Sequence, residues 1–90
     1  MPGGRTFKLL EEIRECTITF ERDSSKGKVY EAMDTGTSPQ DILNNGLIAA
    51  MEQIGWLSEA GEFFIPEMLL AGKIIQEDLA GLKPYLQKGT

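Results

Sequence analysis

The chain has no histidine in its 90 residues. That removes the commonest general base, the commonest zinc ligand and every Ser-His or Cys-His pair. It has one cysteine, Cys16. An intrachain disulfide is therefore impossible, which fits a reducing compartment and a cytoplasmic protein. No apolar run approaches the roughly 18 residues that a membrane span requires. The first residues, M-P-G-G-R-T, carry no apolar signal core. Basic residues are few: 9 Lys and Arg stand against 14 Asp and Glu, a net charge of −5. This leaves no electrostatic footprint for nucleic acid and argues against an anionic membrane. There is also no glycine-rich phosphate loop, no internal repeat and no low-complexity segment.

What remains is helical periodicity over a length that makes one domain, residues 1–90, with one modest core. Residues 1–5 are read as a tail outside the fold and 88–90 as a linker or cut end. Phe7, Leu10, Ile13, Cys16, Thr17 and Phe20 recur at helical spacing and predict a first helix over 6–20. Its C-T-I-T-F end is β-branched and suits a strand locally, but no partner strand follows. Cys16 falls on the apolar face, as a core thiol. Asp23 or Ser24 is the candidate cap of a second helix running to Met33, which Gly36 closes. Ser38-Pro39-Gln40-Asp41 is a helix start, with Ser38 as N-cap, Pro39 at the first helical position and Asp41 completing a variant capping box. The third helix then buries Ile42, Leu43, Leu47, Ile48, Met51 and Ile54 and ends near Ile54. Periodicity runs through Asn45-Gly46, so Gly46 is read as a point where another helix backbone comes close.

Gly55 and Gly61 bracket the next connection. Pro66 and Glu67 suit a helix start, the proline because its missing N–H would have no partner there and the glutamate through the helix dipole. The fourth helix begins near Ile65 and reaches 82 or 87, with Pro84 as a bend or stop. Ile65, Met68, Gly72, Ile75, Leu79, Leu82 and Leu86 share one face; Leu70 and Ile74 lie roughly opposite. A surface helix normally carries one apolar stripe, and this one has a second to cover. Four helices with short connections predict an all-α antiparallel four-helix bundle. Glu11, Glu12 and Glu15 read as a solvated face, and Glu59 and Glu62 as ordinary loop polarity. Trp56 is either a lid on the core or a contact surface.

The run G-L-I-A-A-M-E-Q-I-G, a short loop and F-F-I-P-E-M-L-L-A together resemble the helical cap domain of cobalamin-dependent methyltransferases. These include the corrinoid proteins of methylamine and methanol metabolism and the matching module of methionine synthase. The resemblance covers residues 7–85, and Gly46, Met51, Gly55 and Pro66 stand at the family spacing. It implies a non-catalytic cap whose side chains lie over the upper face of the corrin ring and shield the methyl–cobalt bond until the cap swings away. Carried over by position, Ile65 precedes the proline and Met68 follows it by two. The family's third contact, three residues after the loop glycine, is usually phenylalanine and is Ser58 here. Leu57 and Trp56 are the neighbours that would fill that space, with Phe64 beside Ile65.

The resemblance also implies an α/β cobalamin-binding domain bearing an Asp-x-His-x-x-Gly motif, and a cognate methyltransferase as partner. Cobalamin is expected to be contacted only together with that domain, and the chain by itself is not expected to hold the cofactor firmly. The alternative function is a small helical interaction or dimerisation module that uses the same apolar patch. Either reading predicts self-association of the isolated chain.

Overall fold

A computed structural model describes the backbone of residues 2–88 and the side chains of residues 7–86. The described residues are all-α and build four helices, with no strand among them. We number them α1, Pro2–Ile18; α2, Arg22–Asp34; α3, a continuous helix made of Pro39–Asp41, a π-helical segment Ile42–Ile48 and Ala49–Glu59; and α4, Ile65–Lys88. Gly89 and Thr90, expected as part of a linker, lie outside the described residues.

Helix α1 begins at Pro2, four residues before the expected start, and buries Leu9, Leu10, Ile13, Cys16 and Thr17. Thr17 is a buried polar residue that satisfies itself by donating its hydroxyl to the Ile13 carbonyl at 2.9 Å. Phe7, expected in the core, is exposed. The helix stops at Ile18, short of the expected Phe20. The Phe20 N–H donates to Thr17 O and the Glu21 N–H to Cys16 O, the paired bonds of a Schellman ending. That ending places Phe20 at φ 62, a conformation usually left to glycine. Its ring rests on Phe63 of the α3–α4 connection, with centroids 5.7 Å apart. This aromatic contact offsets backbone strain of about 1–2 kcal/mol.

The expected Asp23 or Ser24 cap of α2 is not formed. The cap position is Glu21, without a side-chain hydrogen bond, and Asp23 sits in the first turn. The expected glycine closure is present: Gly36 at φ 94, with its N–H on Met33 O and the Thr37 N–H on Ala32 O. Ser38 caps α3 as its sequence implies, accepting from the Asp41 N–H at 3.1 Å, with Pro39 next.

The π-helical segment was not legible in the sequence, and it resets the buried face of α3. In a π turn hydrogen bonds run i to i+5, so Ile42 and Leu47 share the core side and are both fully buried. Beyond it Ala50 and Ile54 point inward, while Ile48 and Met51, expected in the core, are exposed. Arg14 of α1 donates to the Asn45 carbonyl inside the segment. Gly46 is buried, but no helix backbone comes close to it: a Cβ there would make ordinary contact, 3.7 Å from both Leu10 Cδ2 and Ile13 Cγ2.

Helix α4 runs through Pro84 to Lys88. Its buried stripe, Ala71, Ile74, Ile75, Asp78 and Leu82, lies between the two expected faces. Asp78 is only 2% exposed and accepts from the Ser25 hydroxyl of α2. Arg22 and Glu77 add an ion pair between the same helices, with Nε 2.6 Å from the carboxylate. Burial pushes the Asp78 carboxyl above its ordinary value, against the pull of Ser25 and Lys26. A raised folded-state pKa means that Asp78 favours the fold while protonated. That contribution is lost as pH rises through the folded-state pKa. Asp78→Asn keeps an acceptor for Ser25 and removes the buried charge. The variant is expected to gain stability relative to the parent as pH rises from the acid range to neutrality. Paired urea denaturations across that range measure the difference, and a difference that does not change with pH would contradict the assignment.

Candidate functional site

The apolar residues singled out by sequence gather at one end of the α3–α4 pair. Helix α3 does not stop at Ile54. It continues through Gly55 to Glu59 and closes at Gly61, φ 81, where the Gly61 N–H meets Ser58 O and the Glu62 N–H meets Leu57 O. Trp56, Leu57 and Ser58 therefore stand on the last helical turn and not in a loop. Gly55 is inside the helix, and only Gly61 takes the left-handed turn. The short-range signal was ambiguous because Gly55 reads as a stop until the real Schellman ending six residues later is seen.

The start of α4 is fixed by Glu67, whose carboxylate reaches back to accept the Phe64 N–H at 2.9 Å. This is the reciprocal half of a capping box. It holds Phe64 just outside the helix and Ile65 on its first turn. Trp56 is 68% exposed, Ile65 73%, Leu69 70% and Met68 37%. Phe64 is exposed as well, whereas Leu57 turns inward to pack on the core. Trp56 is thus no lid on the core, and Leu57 is mainly structural. Ser58 meets Met68 directly, its hydroxyl donating to the thioether sulfur at 3.2 Å.

Between α3 and α4 runs an apolar groove of about 210 Å³ lined by Met51, Ile54, Gly55, Met68, Gly72 and Ile75. Met51 lines this groove and Leu69 is exposed on α4 next to Met68; neither was among the expected contacts. Helical period 3.6 assigns Met51 to the core, and only the π segment turns it out. Leu69 lies on neither expected stripe of α4.

The groove itself is lined by no titratable side chain. Glu59 and Glu62 are exposed beside it. No group of three His, Cys, Asp or Glu side chains among the described residues is placed to hold a metal ion. Glu12 of the α1 acidic run pairs with Lys28 at 3.6 Å, while Glu11 and Glu15 are exposed. Cys16 is buried, and burial, helped by Glu21, pushes its thiol pKa up, the opposite of activation. No helix among the described residues is long and apolar enough to cross a membrane. The arrangement can therefore cover an apolar surface and exclude water from it.

Comparison with known families gives that surface a setting. Residues 9–83 match the model described as the B12 binding domain. The chain belongs to that B12 binding domain family. Among its relatives, Monomethylamine corrinoid protein 2 of Methanosarcina mazei is 41% identical over 81 residues, covering 90% of this chain and 37% of that protein. Monomethylamine corrinoid protein 1 of the same organism is 31% identical over 81 residues, with the same coverage. Dimethylamine corrinoid protein 1 of Methanosarcina mazei is 31% identical over 83 residues, covering 92% of this chain and 38% of that protein. The chain thus spans less than two fifths of the length of these relatives.

The family's cofactor is cobalamin, and the residues of this B12 binding domain fit it in one respect. They offer an exposed apolar crest and groove suited to the hydrophobic face of a large planar ring. They supply no imidazole for cobalt, since the chain has no histidine.

Proposed function

We propose that this chain is a non-catalytic helical cap that covers the upper face of a corrinoid held by a separate α/β domain. The supporting observation is the exposed crest of Trp56, Phe64, Ile65 and Leu69 beside the Met51–Met68 groove. Exposed large apolar side chains grouped in this way mark interaction surfaces. Methylcobalamin supplies a methyl group bound to cobalt and ready for transfer. The chain's own residues supply cover. Ile65 and Met68, three apart on α4, press from one side, and Trp56 and Ser58 flank them from the end of α3. Together they exclude water while the cap is closed. The partners in this reading are the α/β cobalamin-binding domain and a cognate methyltransferase, which takes the cap's place during transfer, in the cytoplasm.

The test compares the complete methylcobalamin-loaded protein with a version lacking this domain. Removing the cap is expected to speed photolysis and demethylation of the methyl–cobalt form. Equal rates would reject the cap. If the isolated chain then also dimerised through the same crest, the interaction-module reading would replace it.

A further inference from the structure

On the other side of the molecule, away from the α3–α4 crest, two open cavities of about 370 Å³ and 280 Å³ share Tyr30 of α2 and Tyr85 of α4 as lining. Both tyrosines are nearly half exposed although each lies on a packed helix. Three further features of this groove point the same way. Asp34, the last residue of α2, lines the smaller cavity with a carboxylate at the helix end where the dipole favours positive charge. Pro84 and Ala80 line the larger cavity, and Pro84 has no N–H to donate to the Ala80 carbonyl four residues back. No lysine or arginine is among the lining residues of either cavity. A Cβ at Gly81 would stand 3.1 Å from Tyr30 Oη, so the missing side chain gives the tyrosine ring room over α4.

Two aromatic rings and one carboxylate attract cations, and neither cavity is lined by a lysine or an arginine that would oppose one. The open, partly apolar floor disfavours a strongly hydrated metal ion and suits a cation with an apolar skin. We propose that the Tyr30–Tyr85 groove is a binding site for an alkylammonium group, either a free small amine or a lysine side chain. The rings attract the cation through their π faces and Asp34 supplies the countercharge. This site is separate from the proposed cap face and does not depend on it.

The test is a chemical-shift titration of the labelled 90-residue chain with tetramethylammonium chloride. Sodium chloride at matched ionic strength and tert-butanol, a neutral molecule of similar shape, serve as controls. Saturable shifts are expected at Tyr30, Asp34, Gly81 and Tyr85 with the ammonium alone. N-acetyl-lysine amide in a parallel arm distinguishes the sources: tighter binding than tetramethylammonium marks a lysine side chain, and weaker binding a free amine. Tyr85→Leu and Asp34→Asn should each weaken binding by about two- to fivefold, whereas Tyr85→Phe, which keeps the π face, should retain it. The site is overturned if neither ammonium gives saturable shifts, if tert-butanol moves the same residues as strongly, or if Asp34→Asn and Tyr85→Leu both bind unchanged. Should Tyr85→Leu disturb the helix, Asp34→Asn, at an exposed position, decides alone.

Discussion

Replacing Leu47 by alanine is expected to remove about 2–5 kcal/mol of stability, a large share of the roughly 5–15 kcal/mol that a small domain possesses. Leu47 is buried at the turn where the π segment hands over to the second α-helical part of α3. Its side chain belongs to the same cluster as Leu10 and Ile13 of α1 and Leu82 of α4. Removing it leaves a cavity at the meeting point of three helices, which cannot all collapse into the gap at once. The matched control is Leu69→Ala, the same chemical change at an exposed position on α4. It should shift stability by no more than about 0.5 kcal/mol. Urea denaturation of the two variants beside the parent measures both numbers. Comparable losses at both positions would mean that Leu69 is core and that the exposed crest is not a free surface.

Signals that act through local chemistry were legible in the sequence. Ser38-Pro39 announces a helix start because a hydroxyl before a proline satisfies the orphan N–H groups, and the hydrogen bond to Asp41 forms as implied. Gly36 closes α2 for an equally local reason. The four-helix count and the buried Cys16 also follow from pattern. The misreadings arise where tertiary structure overrides the local rule. Phe20 occupies a left-handed position that sequence rules reserve for glycine, because its ring gains Phe63 as a partner. Gly55 does not end α3, since helix propensity is weak beside packing. The π segment carries no sequence mark of its own. Yet it decides that Ala50 is core and Met51 is surface, and so decides the composition of the groove facing Met68.

Within the proposed cap, the two contact residues carried over from the family resemblance differ in what they test. Ile65 is 73% exposed in the isolated domain, so a charge there touches no core residue. Met68 is 37% exposed and lines the groove with the buried Ile54 and Ile75, so a charge there also costs the fold. Ile65→Asp in the complete cofactor-loaded protein is therefore the cleaner experiment. Covering an isoleucine of this exposure by a corrin face is worth about 1–2 kcal/mol. Its loss should shift the balance between closed and open cap by about tenfold, since each 1.4 kcal/mol is a factor of ten. The methyl–cobalt form should photolyse and lose its methyl group faster by a similar factor, with the melting of the helical domain unchanged. Met68→Asp should show the same acceleration together with a lower melting temperature. Ser58→Phe should act in the opposite direction. Ser58 already touches the Met68 sulfur, and a phenyl ring at that position would lie against the thioether, a favourable contact that enlarges the apolar cover. The order expected for demethylation is Ile65→Asp fastest, then the parent, then Ser58→Phe. If all three proteins react at one rate while their domains stay folded, the crest does not lie on the corrin, and its exposed apolar surface serves another partner.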